Sequence, residues 1–279
     1  MSRRVALIGK PLRRRHSQVM HDAAFAAAGI DARYELREVD PAELPGFAAE
    51  TRGAGWYGFQ VTAPYKVAVM PLLDEVEPDA RAIGAVNSVA TAGGRHAGFN
   101  TDAPGFRRAV EGLLGGPLRG VDAVVLGAGG VAHAIAYALL DAGASRIVVA
   151  NRDPARAADL ATHFADERLS ATALSEVGSQ LAAADLVVNA TTVGMLSAGT
   201  PVPVEQLGSS TAIFDCVYVP SETPFVAEAR ARGLRAANGG EMLVAQAAIA
   251  FERWTGIGGM DEVMRAAVQP LLDDPSAQA

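Results

Sequence analysis

The sequence predicts an α/β protein of two domains. Its 279 residues are enough for two compact units, and a hydrophobic content of 50% supplies the two cores they need. Short runs rich in Val and Ile alternate with longer Ala/Leu-rich stretches at helical spacing, the rhythm of repeated strand-helix units and therefore of parallel sheets. The texture changes at Pro104, where a helix running to Leu114 leads into Gly115-Gly116-Pro117 and a new strand. That change divides the chain into domains of residues 1–103 and 104–240.

Residues 5–9 read as a first strand, and residues 21–28 as a helix closed by Gly29, since glycine accepts the left-handed backbone past a helix end. Residues 33–39 alternate as a second strand does, and residues 56–62 make a third. A helix is expected over 65–76. Strands at 86–91 and 97–100 flank Gly93-Gly94, which marks a hairpin. In the second domain the expected strands are 123–126, 147–150, 186–190 and 213–219, each separated by a helical pattern, and the chain closes with helices at 241–255 and 261–272.

Composition narrows the function classes. The net charge of −7 argues against a nucleic-acid partner, because such proteins concentrate positive charge on one face; the local exception is Arg13-Arg14-Arg15. Five apolar residues follow the N-terminal arginines, too few for a signal peptide or a membrane span. Cys216 is alone, so neither an internal disulfide nor a cysteine-built metal site is expected. These features point to a cytoplasmic protein with a small-molecule ligand and no metal, acting as a monomer or homodimer.

Residues 124–126 form a hydrophobic strand that runs into Gly127-Ala128-Gly129-Gly130-Val131-Ala132 and then a helix at 133–140. This is the Gly-x-Gly-x-x-Ala turn of a dinucleotide site. The first glycine makes the tight turn, the second lets a pyrophosphate approach backbone, and the small third residue lets helix pack on strand. A glycine-rich turn without ligand is the plain alternative. About twenty residues on, where an acid would contact the ribose hydroxyls in an NAD enzyme, stands Asn151. Arg152 and Arg156 suit a 2′-phosphate, because guanidinium forks match phosphate oxygens, and so favour NADP. Asp153 repels a phosphate and leaves NAD open. Its other role is the N-cap of a helix with Pro154 at the first position, and the two arginines have a second reading as solvated helix charges.

In the first half, Thr62, Lys66, Asn87 and Asp102 fall near strand ends, where open α/β sheets bind ligands. Reduction of a ketone builds negative charge on its oxygen, which an ammonium stabilises and can protonate. A neighbouring carboxylate orients that ammonium. Taken by itself, Lys66 reads as a surface helix residue.

Six segments resemble, in order, the motifs of shikimate dehydrogenases: Gly58-Phe59-Gln60-Val61-Thr62-Ala63-Pro64-Tyr65-Lys66, Gly84-Ala85-Val86-Asn87-Ser88, Asn100-Thr101-Asp102, the Gly127–Gly130 loop, Asn151-Arg152 and Met242-Leu243-Val244-Ala245-Gln246. The resemblance implies a substrate domain completed by the last helices, residues 241–279, and a Rossmann domain across a cleft. It implies reversible reduction of 3-dehydroshikimate to shikimate with NADP(H), in the shikimate pathway. Lys66 and Asp102 then match the catalytic pair, and Thr62, Asn87 and Gln246 match residues that hold substrate hydroxyls. Tyr218 matches a residue lining the substrate, Thr191 a cofactor contact, and Gly240 a position near the nicotinamide.

The chain departs from the family pattern at two places. The first loop usually carries two serines that bind a carboxylate; here Ser17 is the second and Arg15 replaces the first. Arg15 either pairs with a carboxylate through a bidentate, charge-assisted contact, fills the site, or points to water with Arg13 and Arg14. Gln60 stands where an asparagine is common. These departures keep two further readings open: a relative acting on quinate, an amino-shikimate or another polyol, with NAD or NADP, and a nucleotide-sensing protein without catalysis.

Overall fold

In the computed structural model, which describes residues 2–12, 14–195 and 198–274, β1 (Arg3–Gly9) lies inside a six-stranded sheet and buries Val5, Ala6 and Ile8 completely. Arg13 lies outside the described residues. The chain divides into two compact units, Met1–Asp102 with Val244–Ala279, and Ala103–Leu243.

In the first unit, β1 is followed by α1 (His16–Ala27), β2 (Ala32–Glu38), α2 (Leu44–Glu50), β3 (Trp56–Val61), β4 (Glu75–Val76), α3 (Pro78–Ile83), β5 (Ser88–Ala92) and β6 (Arg95–Phe99). The strand order is β2-β1-β3-β5-β6-β4. β1 runs parallel to β2 and β3, whereas β5 is antiparallel to both β3 and β6. The sheet is therefore mixed, its β2-β1-β3 and β4-β6 pairs parallel and its β5-β6 pair the hairpin expected at Gly93-Gly94. The β5–β6 pair follows from the Gly93-Gly94 turn: both residues have positive φ, +57° and +74°, and a two-residue turn of that hand returns the chain beside itself.

The expected helix over 65–76 is absent. Residues 65–69 form turns, followed by one 3-10 turn at Met70–Leu72 and the short β4. Pro71 has no N–H to give a helix and its ring clashes with the preceding turn. The Lys66 carbonyl instead accepts the Val86 N–H at 2.9 Å, and the buried Tyr65 hydroxyl bonds the Val39 carbonyl. α1 begins at His16 rather than at residue 21. α2 was not expected, because Pro45 and Gly46 make a seven-residue helix look like a loop; Leu44, Phe47 and Ala48 on its inner face are buried.

The second unit contains α4 (Asp102–Leu114, its first residue in the other unit), β7 (Asp122–Leu126), α5 (Gly130–Asp141), β8 (Arg146–Asn151), α6 (Pro154–Phe164), β9 (Leu169–Ala173), α7 (Gly178–Ala183), β10 (Leu186–Asn189), β11 (Ala212–Asp215), α8 (Pro224–Ala231) and β12 (Ala236–Asn238). Its strands are parallel throughout, in the order β12-β11-β10-β7-β8-β9. That is the doubly wound arrangement, with the direction of winding reversing between β7 and β10. β11 stops at Asp215, short of the expected 219, because the Asp215 carboxylate accepts the Val217 N–H and turns the chain. Val124, Val187, Ile213 and Phe225 lie in its core.

α9 (Gly240–Thr255) and α10 (Asp261–Asp273) end the chain. From Val244 onward they belong to the first unit, where Trp254 donates its indole N–H to the Val89 carbonyl at 2.9 Å. Among the described residues no helix is long and apolar enough to cross a membrane, and no group of three His, Cys, Asp or Glu side chains is placed to hold a metal ion.

His21 of α1 sits fully buried, stacked on Tyr34 with ring centroids 4.7 Å apart and close to Phe251 and Trp254. Burial pushes its pKa from the usual 6.5 down to about 3. The folded chain keeps this ring neutral while the unfolded chain protonates it below 6.5. Stability is therefore lost as pH falls from about 6.5 toward 3, at up to about 1.4 kcal/mol per pH unit. His21→Phe, which preserves the stack, is expected to lose about 1.5 kcal/mol less than the parent between pH 6.5 and 5 in urea denaturation; equal losses refute the assignment.

Candidate active site

The loop after β3, an inner strand, sets Lys66 beyond that strand's C-terminal end, and the bond from Val86 N–H to its carbonyl pins the loop there. The Lys66 ammonium donates to Asp102 Oδ2 at 2.6 Å, with the two side chains 22% and 13% exposed. Asp102 is held from behind. Its N–H donates to Asn100 Oδ1 at 2.9 Å, and the Asn100 amide donates to the Ala85 carbonyl at 3.0 Å. Asp102 also opens α4, where the helix dipole favours a carboxylate. The two residues thus form a desolvated yet accessible donor-acceptor pair.

Next to it lies a buried amide cluster. Asn87 Oδ1 accepts the Thr101 N–H at 2.8 Å, and Asn87 Nδ2 donates to the Thr101 hydroxyl oxygen at 3.0 Å. Gln246 Oε1 accepts the Thr101 hydroxyl and Gln60 Nε2, each at 3.3 Å, while Gln60 Oε1 accepts the Tyr34 hydroxyl. The structure therefore brings Asn87, Gln60 and Gln246 together through Thr101 and Tyr34, which pattern alone did not single out. Tyr34 carried no signal, since a tyrosine on an alternating strand reads as packing. Burial holds its phenol well above the usual range and the Ser17 side chain bonds to it, so it serves as a neutral hydroxyl.

The remaining residues of this unit are less constrained. Thr62 is tied by its N–H to the Ile8 carbonyl at 2.9 Å, and its methyl group occupies the space beside Gly9 that a Cβ there would need. Ser17 is half-buried in the first turn of α1, whereas Arg15, just before that helix, is exposed.

In the second unit Gly127 follows β7 at the point where the strand order reverses. Its φ is +109°, and a Cβ there would stand 2.9 Å from the Ala190 carbonyl oxygen and from Thr191 Cγ2. Only glycine fits. Around Gly129 and Gly130 a Cβ would meet nothing within 4 Å, and these residues open α5. Exposed backbone of this kind at a helix N-terminus suits a pyrophosphate, so the local geometry fits a dinucleotide. Ala128 and Val131 complete the turn.

Asn151 ends β8 and donates to the Asp153 carbonyl at 2.9 Å. Asp153 caps α6, its Oδ1 accepting the Ala155 N–H at 3.1 Å, with Pro154 next. The Arg156 guanidinium reaches back to the Ala128 carbonyl at 3.5 Å, close to the glycine turn, and Arg152 is exposed beside it. Thr191 is held by Asn189, which accepts its N–H at 3.1 Å and its hydroxyl at 2.7 Å. Tyr218 is half-buried in the loop after β11, and the Gly240 N–H donates to Asn238 Oδ1 at 2.9 Å at the start of α9.

Three family models match the chain: the shikimate dehydrogenase substrate binding domain over residues 7–89, shikimate/quinate 5-dehydrogenase over 111–197, and the shikimate 5′-dehydrogenase C-terminal domain over 239–269. A shikimate dehydrogenase (NADP(+)) from Moorella thermoacetica is 41% identical, covering 98% of this chain and 96% of its own. The shikimate 5-dehydrogenase of Thermus thermophilus, solved in complex with NADP(H) and shikimate, is similar at 40% identity and a TM-score of 0.87, over 96% of this chain and 99% of its own. A quinate dehydrogenase from Corynebacterium glutamicum, solved with NAD, is similar at 36% identity and a TM-score of 0.90, over 97% and 99%.

Proposed function

Because the chain belongs to the shikimate dehydrogenase family, we propose that it catalyses the reversible reduction of 3-dehydroshikimate to shikimate with NADP(H). The observation that carries this reading is the Lys66–Asp102 pair at 2.6 Å beside the Asn87–Thr101–Gln246 cluster. The first unit takes the substrate and the second the cofactor.

When bound, the dinucleotide supplies the hydride. Lys66 stabilises the negative charge that develops on the carbonyl oxygen and gives that oxygen a proton from Nζ. Asp102 keeps Nζ aimed and shares the proton in the reverse direction. Thr62, Asn87 and Gln246 hold the ring hydroxyls, with Gln60 bracing Gln246, and Tyr218 lines the substrate. Ser17 and the exposed Arg15 take the carboxylate, the guanidinium offering a bidentate fork. The Gly127–Val131 turn holds the pyrophosphate, Asn151, Arg152 and Arg156 hold the 2′-phosphate, and Thr191 and Gly240 complete the cofactor site. The Asp153 carboxylate is engaged by the α6 cap, which lessens its conflict with a phosphate. The lone Cys216 and the net charge of −7 support a cytoplasmic enzyme acting on small molecules.

A second reading, a dehydrogenase for quinate or another polyol with NAD, is favoured by Arg15 in place of the first serine and by the length of Gln60. Steady-state rates on shikimate and quinate, each with NADP+ and NAD+, separate the two. Shikimate with NADP+ is expected to give the highest kcat/KM; no turnover of shikimate at millimolar concentration ends the primary reading.

A further inference from the structure

Asp215, the last residue of β11, is completely buried, and its named partners are all neutral. Its Oδ1 accepts the Asn189 amide at 2.8 Å and the Val217 N–H at 3.0 Å, and its Oδ2 accepts the Thr223 hydroxyl at 2.6 Å. Burial pushes its carboxyl above the usual range, and these three donors act against that shift by favouring the charged form. A carboxylate has only lone pairs to offer. Asn189 must therefore turn its NH2 toward Asp215, and the same NH2 also reaches the Val193 carbonyl at 3.1 Å. Its carbonyl is left facing Thr191, where it takes both the N–H and the hydroxyl hydrogen.

The consequence falls on Thr191. Its hydroxyl hydrogen points inward to Asn189, and its oxygen accepts the Val193 N–H at 3.1 Å. One lone pair remains on that oxygen. A ligand group that meets it must then be a donor.

We propose that Asp215 is the positioning residue of the dinucleotide site: through Asn189 it sets Thr191 as a hydrogen-bond acceptor, matched to a ribose hydroxyl or carboxamide N–H and unsuited to a phosphate oxygen. The inference rests on the reading that Thr191 contacts the cofactor.

The test compares the full chain with Asp215→Leu and with Asp215→Asn, using titration of NADPH fluorescence alongside KM for NADP+ and for shikimate. Asp215→Leu removes the acceptor, so the Asn189 NH2 keeps only the Val193 carbonyl and its hold on Thr191 loosens. NADPH affinity is expected to fall about tenfold, the loss from one mis-set hydrogen bond, while KM for shikimate stays within about twofold. In Asp215→Asn the amide oxygen still accepts from Asn189 and Val217 while the NH2 turns to the Thr223 hydroxyl oxygen, and affinity is expected within about threefold of the parent. Unchanged NADPH affinity in Asp215→Leu, or an Asp215→Asn variant no better than Asp215→Leu, overturns the proposal.

If neither variant folds by thermal melting, Thr191→Ser and Thr191→Val carry the test: the first should bind NADPH within about threefold of the parent and the second about tenfold more weakly. Equal affinities overturn it. The titration needs no turnover, so a chain that behaves this way and leaves shikimate untouched refutes the substrate assignment and not the role of Asp215.

Discussion

Lys66→Ala is expected to lower kcat for shikimate oxidation by about 10²–10⁴-fold, the usual contribution of a positioned general acid or base. The variant removes the ammonium that meets Asp102 at 2.6 Å and so removes both the charge opposite the reacting oxygen and the proton it exchanges. The fold should survive. Lys66 sits in a turn whose backbone is held independently by the Val86 N–H; leaving the 13%-exposed Asp102 side chain without its partner costs up to about 3–5 kcal/mol, part of which the N-terminus of α4 offsets. Circular dichroism melts beside the kinetics separate the two effects. A fall in kcat below about tenfold would be too small for this role.

Gly127→Ala is expected to weaken NADPH binding by more than about tenfold and to cost about 1–3 kcal/mol of stability. The native φ of +109° is one that L side chains rarely adopt, and the added Cβ would lie 2.9 Å from the Ala190 carbonyl oxygen. Relief requires the turn to move away from the end of β10, and the approach to Gly129 and Gly130 moves with it. NADPH titration and a thermal melt read the two losses separately. Parent-like affinity in a folded variant would show that this turn does not cradle the dinucleotide.

The second unit was largely legible in the sequence. Its strands are buried on both faces and read as Val/Ile-rich runs, and Gly127-Ala128-Gly129 announces a turn through constraints that act over a few residues. Asp153 and Pro154 marked the start of α6 for the same reason. The first unit was harder. A hydrophobic run after Thr62 resembled a helix until Pro71 and the Val86–Lys66 bond intervened, and the hairpin at Gly93-Gly94 was visible without revealing that β5 also pairs antiparallel with β3.

The candidate site divides along the same line. Local pattern determined the glycine turn, the hairpin turn and the α6 cap, because each depends on backbone angles and side-chain bonds within a few positions. The order of the motifs along the chain pointed to Lys66, Asp102, Asn87 and Gln246. Only the folded chain decided how they meet: Lys66 and Asp102 are 36 residues apart, and Gln60 and Gln246 are 186 apart. Hydrogen bonds across such separations depend on how sheets and helices pack, which no short window encodes. Tyr34 and Asp215 show this most clearly, since each is an ordinary strand residue until burial makes its few hydrogen bonds obligatory.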